Sequence, residues 1–178
     1  DRLSLTAGAR YTKDEPHGIR SLDATIVDYQ VVVPVDSGTR AKSSYDSFDP
    51  MFITAYQWTD ELNTYAKVVT GYKAGGFAEA AADFSLPYDP EDVTNYEVGM
   101  KSYWWDQRLL LNFAAFTTDY SDMQLDLSPD PAQIQVVNTY NAGSATVEGV
   151  EVDLMLQLTE NLRFSADYAY LDYEIESV

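Results

Sequence analysis

Apolar and polar residues alternate along most of this chain, which is the period-two pattern of β-strands, and helical periodicity is almost absent. The first run alternates without a break between Leu3, Leu5, Ala7, Ala9 and Tyr11 on one face and Arg2, Ser4, Thr6, Gly8, Arg10 and Thr12 on the other. The same pattern predicts strands over 95–101, 149–157 and 162–171. The runs 51–58, 62–73 and 108–120 also predict strands, and for 51–58 the pattern leaves open which face is apolar.

The connections between these seven predicted strands alternate in length. Short polar links, "WTDEL" at 58–62, "WDQ" at 105–107 and "LTEN" at 158–161, have the length of hairpin turns. Long links at 13–49, 74–93 and 121–145 are rich in Asp, Pro, Gly, Ser and Ala, and we expect the first to contain a hairpin around "ATIVDYQVVV". All short turns then lie at one end of the sheet and all long loops at the other, as in outer-membrane barrels.

Strand length and aromatic placement favour the same architecture. A tilted membrane-spanning strand needs about 9–11 residues, whereas ordinary strands average about 5–6, and most of the predicted runs are of the longer kind. Aromatic residues fall at both ends of the strands, as two interfacial belts require. Beside the short turns are Trp58, Trp104 and Trp105, and beside the long loops are Tyr11, Tyr72, Phe77, Tyr120, Tyr170 and Tyr173. The fold predicted is an all-β, antiparallel, up-and-down transmembrane barrel segment.

Charged residues within the strands all fall on the polar face. The candidates for a water-filled lumen are Arg10, Glu97, Lys101, Glu151, Asp153, Arg163 and Asp167. An Arg or Lys facing lipid at mid-membrane would cost about 2–4 kcal/mol, which gives this placement an energetic reason if the other face meets lipid. A sheet with one solvated face in a soluble sandwich shows the same alternation, but it predicts neither the loop asymmetry nor the aromatic belts.

Composition excludes several classes of function. With 11 Lys and Arg against 29 Asp and Glu, the formal net charge is −18, which argues against nucleic-acid binding. The sequence has no cysteine, so disulfides, thiolate metal sites and cysteine nucleophiles are excluded. No apolar run is long enough for a transmembrane helix, and the first residues lack the pattern of a signal peptide. We expect the chain to begin inside a strand and to form one partial barrel domain over residues 1–178.

No motif points to an enzyme or to a resident cofactor. The single histidine, His17, lies in the charged stretch "KDEPHGIR" without the partners of a catalytic triad or metal site, and a solvated loop residue is the preferred interpretation. Gly75 and Gly76 lack the lysine of a phosphate loop, so we expect them to let the chain turn out of a strand. Gly149 lies within a strand, where a bulge or a close backbone approach is the usual cause. The acidic loops "DSFDP", "YDPEDV" and "SPDP" are interpreted as solvated, with a calcium site as the alternative.

Several segments, taken in order, resemble successive barrel segments of TonB-dependent outer-membrane receptors. They are "LTAGARYTKD", "GYKAGGF", "PEDVTNYEVGMKSYWWDQRLLLNFAAFTTDYSDMQ" and "NAGSATVEGVEVDLMLQLTENLRFSADYAYLDYE". The resemblance implies a 22-stranded barrel in the Gram-negative outer membrane, filled by a plug and energised by TonB. The TonB-binding box, the plug and the final aromatic-ended strand have no counterpart in the sequence, so TonB would act through a region outside it.

The resulting hypothesis is a segment of an active-transport receptor for a scarce nutrient, such as a ferric siderophore. Its partners would be outer-membrane lipid, the nutrient and TonB. We expect the loops at 74–93 and 121–145 to contact the nutrient, because loops on a rigid barrel carry ligand contacts. A porin-like barrel without a plug is a near variant, and the alternative from another class is a secreted acidic β-sandwich that binds carbohydrate or calcium.

Overall fold

The structure is a computed structural model that describes residues 2–20, 25–27, 30–32, 38–78, 84–128 and 138–176. Its elements in chain order are β1 (Leu3–Asp14), β2 (His17–Arg20), β3 (Thr25–Val27), β4 (Gln30–Val32), β5 (Thr39–Lys42), β6 (Tyr45–Thr59), β7 (Leu62–Lys73), β8 (Gly76–Phe77), β9 (Pro87–Tyr88), β10 (Glu91–Trp104), β11 (Leu109–Ser121), β12 (Gln124–Leu127), β13 (Asn138–Asn141), β14 (Ala145–Thr159) and β15 (Leu162–Ile175). Among the described residues every regular element is a strand, and no helix long and apolar enough to cross a membrane is found.

Seven long strands form one antiparallel sheet in the order β1-β6-β7-β10-β11-β14-β15. Each long strand pairs with the next long strand along the chain, so the sheet is an up-and-down meander. The long strands contain 12 to 15 residues, more than the roughly 9–11 that a tilted strand needs to cross a bilayer. The predicted all-β architecture is confirmed.

The connections also follow the predicted asymmetry. Short turns at 60–61, 105–108 and 160–161 lie at one end of the sheet, and three long loops lie at the other. We name these the first loop (15–44), the second loop (74–90) and the third loop (122–144). Each contains small hairpins: β2 with β5 and β3 with β4 in the first, β8 with β9 in the second, and β12 with β13 in the third. The hairpin predicted around 24–33 is confirmed by the pairing of β3 with β4.

Two of the short turns repeat one hydrogen-bonding scheme. In "QWTDELN" at 57–63, Gln57 donates to the Thr59 carbonyl at 2.7 Å and accepts from Asn63 at 3.0 Å. In "QLTENLR" at 157–163, Gln157 donates to the Thr159 carbonyl at 2.7 Å and accepts from Arg163 at 3.0 Å. The strand register shifts between the glutamine and the threonine in both hairpins, so the bulge and the glutamine together define the turn.

The register defines two faces of the sheet, because directly paired residues point the same way. The polar face contains the row Lys101, Asn112, Asp153 and Asp167, and the apolar face contains the row Tyr56, Thr64, Met100, Phe113 and Val152. Large residues of the apolar face are exposed, including Leu5 (63%), Val98 (55%) and Tyr168 (61%). In the described part of the chain the buried apolar residues are instead Ala41, Ala78, Phe84, Ala142 and Ala145, which lie in or beside the long loops. The sheet therefore has no packed core of its own.

The face that the sequence left open on β6 is now assigned. Phe52 and Tyr56 share the apolar face, while Met51 and Ile53 lie on the polar face opposite Gly8 and Thr6. Both faces carry apolar residues, and for this reason the alternation could not distinguish them.

Three glycines on the polar face lie under large cross-strand partners. A Cβ at Gly8 would lie 3.1 Å from Cε of Met51, one at Gly149 would lie 2.6 Å from Cζ of Phe116, and one at Gly99 would overlap the Tyr65 ring. Each glycine is paired directly with the residue that covers it. For Gly149, the sequence left open a bulge or a close backbone approach. The register runs through Gly149 without a bulge, so the close approach of Phe116 explains the glycine.

A soluble sandwich is not formed by the described residues. Seven long strands share one sheet, and the other sheets are two-stranded hairpins within the loops. The rival prediction of a β-sandwich is therefore wrong for this chain.

Candidate functional site

The seven charged residues predicted to line a lumen all lie on the polar face. The register connects their strands: Arg10 pairs with Asp49, Glu97 with Lys67, Lys101 with Asn112, and Asp153 with both Asn112 and Asp167. Glu151 and Arg163 occupy positions of the same parity, paired with Ala169 and Gln157. The alternation along the sequence placed these residues together, although it could not identify their partners.

The centre of this face is a hydrogen-bonded charge cluster around Glu97. Tyr65 Oη donates to Glu97 Oε1 at 2.7 Å, and Lys67 Nζ lies 2.7 Å from Glu97 Oε2. The Glu97 side chain is 16% exposed and that of Lys67 is 31% exposed, so the pair is partly shielded from solvent. Beside it lies a shallow depression of about 210 Å³ whose lining includes Tyr65, Glu97, Lys101, Asn112, Glu151 and Asp153. Such a surface suits contact with water or polar groups rather than with hydrocarbon.

A second ion pair lies on the same face between the first two strands of the sheet. Arg10 is 3.3 Å from Asp49, whose side chain is only 7% exposed, and Ser47 donates to the other Asp49 oxygen at 2.8 Å. Asp49 is thereby satisfied although it is nearly buried. It was not selected from the sequence because the strand was predicted to begin after it.

Four of the six aromatic belt candidates lie on the apolar face. Near the short turns, Trp58 Nε1 donates to Thr64 at 2.9 Å, and Trp104 Nε1 donates to Ser102 at 2.9 Å. Trp58 also contacts Tyr56 edge to face, with ring centroids 4.7 Å apart. At the other end of the strands, Tyr72 and Tyr170 occupy apolar-face positions, paired with Asp92 and Val150. These four side chains therefore lie near the two ends of the apolar face, where the hydroxyl of Tyr72 donates to Asp14, and their place in an interfacial belt stays a prediction.

The other two belt candidates are placed differently. Tyr120 pairs with Val93 and Ala145, which puts it on the polar face. Phe77 lies in β8, outside the large sheet, with its ring centroid 5.8 Å from that of Phe84. Tyr120 was predicted to belong to the belt only because it is close to a long loop in the sequence. Phe77 was predicted to end a long strand, but it lies in the small hairpin of β8 and β9.

The first and second loops are packed together around Phe84. This side chain is 5% exposed, contacts Phe77 and lies under the Arg20 guanidinium, whose Cζ is 5.2 Å from the ring centroid. A Cβ at Gly18 would lie 2.6 Å from Cζ of Phe84. The absence of a side chain at Gly18 therefore lets β2 approach the second loop.

The second and third loops are joined by two side-chain amides. Gln124 Nε2 donates to the carbonyl oxygens of Ala74 and Asp89, each at 3.0 Å. Asn141 accepts from the Asp89 amide at 2.7 Å and donates to the Asp89 and Asp122 carbonyls at 2.9 and 2.8 Å. Sequence reasoning missed both residues, because nothing distinguishes an amide that bridges two loops from a solvated one in the same composition.

In "GYKAGGF", Gly75 and Gly76 allow Tyr88 of the second loop to lie close to their backbone. Neither Gly75 nor Gly76 has a positive φ; among the described glycines only Gly38 and Gly143 do. A Cβ at Gly75 would overlap the Tyr88 carbonyl, and one at Gly76 would lie 2.6 Å from Tyr88 Oη. The predicted role in turning is thus replaced by a steric one.

The described residues Glu15 and His17, at the start of the first loop, are exposed. His17 begins β2 opposite Lys42 and is solvent-exposed. Lys13 Nζ lies 2.7 Å from Glu15, and this contact lowers the pKa of the Glu15 carboxyl. In the residues that the structure describes, no group of three or more His, Asp or Glu side chains could hold a metal ion.

Comparisons with known proteins agree with this architecture. The sequence profile described as "TonB dependent receptor-like, beta-barrel" matches residues 1–177. The metal-pseudopaline receptor of Pseudomonas aeruginosa is 31% identical over 137 residues, covering 77% of this chain and 18% of that receptor. A probable TonB-dependent siderophore receptor of Acinetobacter baumannii is 33% identical over 88 residues, covering 49% of this chain and 11% of that receptor.

Solved structures share the fold. The ferric yersiniabactin uptake receptor of Yersinia pestis superposes with a TM-score of 0.76 at 23% identity, covering 99% of this chain and 25% of that one. The Acinetobacter baumannii siderophore receptor gives a TM-score of 0.72 at 22% identity, covering 99% of this chain and 24% of that one. The present chain thus spans about a quarter or less of the length of these proteins. Because the family profile matches nearly the whole chain, this protein belongs to the TonB-dependent receptor β-barrel family of the Gram-negative outer membrane.

Proposed function

We propose that the intact receptor, of which this chain forms seven barrel strands, takes up a scarce nutrient, such as a ferric siderophore, with energy supplied through TonB. TonB would engage a region outside this chain. The observation that carries the proposal is that the seven-stranded antiparallel sheet has one charged face and one exposed apolar face. The family and the names of the relatives, a metal-pseudopaline receptor and siderophore receptors, support a metal chelate as cargo.

Each part of the chain has a role in this proposal. The apolar face and its aromatic residues contact outer-membrane lipid, and the polar face lines the passage. The loops at 74–93 and 121–145 contact the nutrient, and the amides of Gln124 and Asn141 hold these loops in a fixed relation before the ligand arrives. The family is one of transport receptors, and the function proposed here involves binding and transport without covalent chemistry.

The test is uptake of radioactive iron by cells whose only siderophore receptor is the intact protein that contains this chain. A panel of hydroxamate, catecholate and carboxylate ferric chelates is supplied with TonB present or deleted. We expect accumulation of one chelate class, dependent on TonB. Uptake that persists without TonB would point instead to a porin-like barrel, and the absence of uptake for every chelate would contradict a siderophore as cargo.

A further inference from the structure

A pocket of about 540 Å³ lies at the short-turn end of the sheet, between the β6–β7 turn and the β10–β11 turn. Glu61 and Leu62 line it from the β6–β7 side, and Trp104, Trp105 and Asp106 line it from the β10–β11 side. Its volume is within the range of small-molecule sites, about 300–1,000 Å³. Every residue of these two turns and of the four strands that flank them is described. The pocket therefore lies at the opposite end of the sheet from the long loops.

The β10–β11 turn that forms one side of this pocket has a strained backbone. Trp105, Asp106 and Gln107 have φ angles of 54°, 53° and 66°, in the left-handed region that non-glycine residues rarely adopt. Strain of this kind is often found where a protein binds a ligand, because the surrounding structure must hold it in place. Part of the hold comes from Arg108, whose guanidinium donates to two carbonyl groups of β14 at 3.1 and 2.5 Å. The turn is thus fixed on the β14 side, and the pocket lies on the other side, towards β7.

The side chains of the pocket suit an ammonium group. Glu61 and Asp106 supply two carboxylates, and neither makes an ion pair or a side-chain hydrogen bond within the part of the chain that the structure describes. The rings of Trp104 and Trp105 are 46% and 67% exposed. Indole ring faces attract ammonium cations, and carboxylates accept their N–H groups. A primary ammonium has three N–H donors and can satisfy both carboxylates, whereas a trimethylammonium group has none.

The position of the pocket on the sheet favours a lipid as the source of this ammonium group. Leu62 pairs with Ser102, and Trp104 lies two residues further along the same strand, so the lining continues the apolar face. A ligand with hydrocarbon chains covers this face, whereas a soluble amine leaves it bare. We propose that the pocket binds the headgroup of a membrane phospholipid that ends in a primary ammonium, which donates to Glu61 and Asp106. The proposal rests on the part of the proposed function that places lipid on the apolar face.

The third short turn, between β14 and β15, provides an internal comparison. It repeats the hydrogen-bonding scheme of the β6–β7 turn, but Asn161 occupies the position that corresponds to Glu61. In both turns this residue donates its backbone N–H to a threonine hydroxyl, at 3.2 Å for Glu61 and 3.4 Å for Asn161. The turn therefore does not need the Glu61 carboxylate, which can be replaced without loss of the backbone arrangement.

The experiment is native mass spectrometry of the intact receptor in detergent, titrated with phosphatidylethanolamine, phosphatidylcholine or phosphatidylglycerol of identical acyl chains. We expect the first phosphatidylethanolamine to bind about threefold more tightly than either other lipid, as exposed ion pairs allow. Glu61→Gln combined with Asp106→Asn should abolish this preference, and asparagine tolerates the left-handed φ. The control is Asp60→Asn combined with Glu160→Gln, which removes two turn carboxylates outside the described lining and should retain the preference.

A gain of preference keeps the test decisive if the double variant fails to fold. Glu61→Lys should reverse the order, so that the anionic phosphatidylglycerol binds more tightly than phosphatidylethanolamine. Trp104→Leu should weaken phosphatidylethanolamine binding, whereas Trp58→Leu, outside the described lining, should not.

Equal affinity of the parent for the three lipids would overturn the proposal. So would a phosphatidylethanolamine preference that survives Glu61→Lys, or an equal loss of preference in the control double variant. These titrations need neither a chelate nor TonB, so a failure of nutrient uptake and a failure of this pocket are separate results.

Discussion

Tyr65 lies across Gly99 on the neighbouring strand, and it donates from this position to Glu97. The glycine provides the space, the ring covers the exposed backbone, and the hydroxyl fixes a carboxylate that also pairs with Lys67. This arrangement lies at the middle of the polar face. The close packing of Tyr65 on Gly99 thus places the Tyr65 hydroxyl where it can bind Glu97, one of the charged residues proposed to line a water-filled passage.

Gly99→Ala should destabilise the receptor by about 1–3 kcal/mol, because the new methyl group displaces the Tyr65 ring and breaks its hydrogen bond. Urea unfolding in detergent measures this change. Gly71→Ala is the matched control, since a Cβ there would lie 3.4 Å from Val93, an ordinary contact, and should change stability by no more than about 0.5 kcal/mol. If Gly99→Ala costs as much in a Tyr65→Ala background as in the parent, the steric explanation is incorrect.

Spin labels at Val152 and Asp153 should report opposite environments, although the two residues are consecutive on β14. Val152 lies on the apolar face and Asp153 on the polar face. In the intact receptor in liposomes, we expect oxygen to relax the label at Val152 more strongly and a water-soluble nickel chelate to relax the label at Asp153. A label at Tyr120 should behave like the one at Asp153. Similar nickel accessibility at Val152 and Asp153 would argue against a lipid-facing apolar face.

Asn141→Ala should loosen the contact between the second and third loops. The Asp89 amide loses its acceptor, so its hydrogen exchange should accelerate about tenfold, as expected for a lost bond of about 1.4 kcal/mol. Mass spectrometry of exchange in the intact receptor measures it. Thr139→Val on the same strand removes only an exposed bond to Asp126 and serves as control. Unchanged exchange at Asp89 in Asn141→Ala would show that the amide does not hold the loops.

Thr59→Val and Thr159→Val should have similar and additive effects on stability. In each turn the threonine hydroxyl accepts a backbone N–H, from Glu61 at 3.2 Å and from Asn161 at 3.4 Å. Each bond is exposed, so we expect a loss of about 0.5–1 kcal/mol per turn, measured by urea unfolding, and full recovery with serine in place of valine. The two hairpins are not adjacent in the sheet, and marked non-additivity would be unexpected.

The alternation of residues by itself determined the architecture of this protein. A period of two over more than ten residues, with the charges of the strands' middle parts on one face, is compatible with long strands that separate two environments, and turn composition identified the short and long connections. For this reason Glu97, Lys101 and Asp153 were correctly placed together before any contact was known. On β6, Phe52 and Ile53 lie on opposite faces and both are apolar, so the pattern could not show which face of this strand is the apolar one.

Only the tertiary structure decided which residues meet across strands and between loops. The partners of Glu97, the cover over Gly99 and the amide contacts of Gln124 and Asn141 all join residues far apart in sequence. Local periodicity describes a residue's orientation within its own strand and says nothing about its neighbour's register or about where a loop folds. Tyr120 and Phe77 show the same limit, because proximity to a loop does not define a face. The seven-stranded sheet could therefore be predicted from the sequence. The contacts between its strands and between its loops became known only from the tertiary structure.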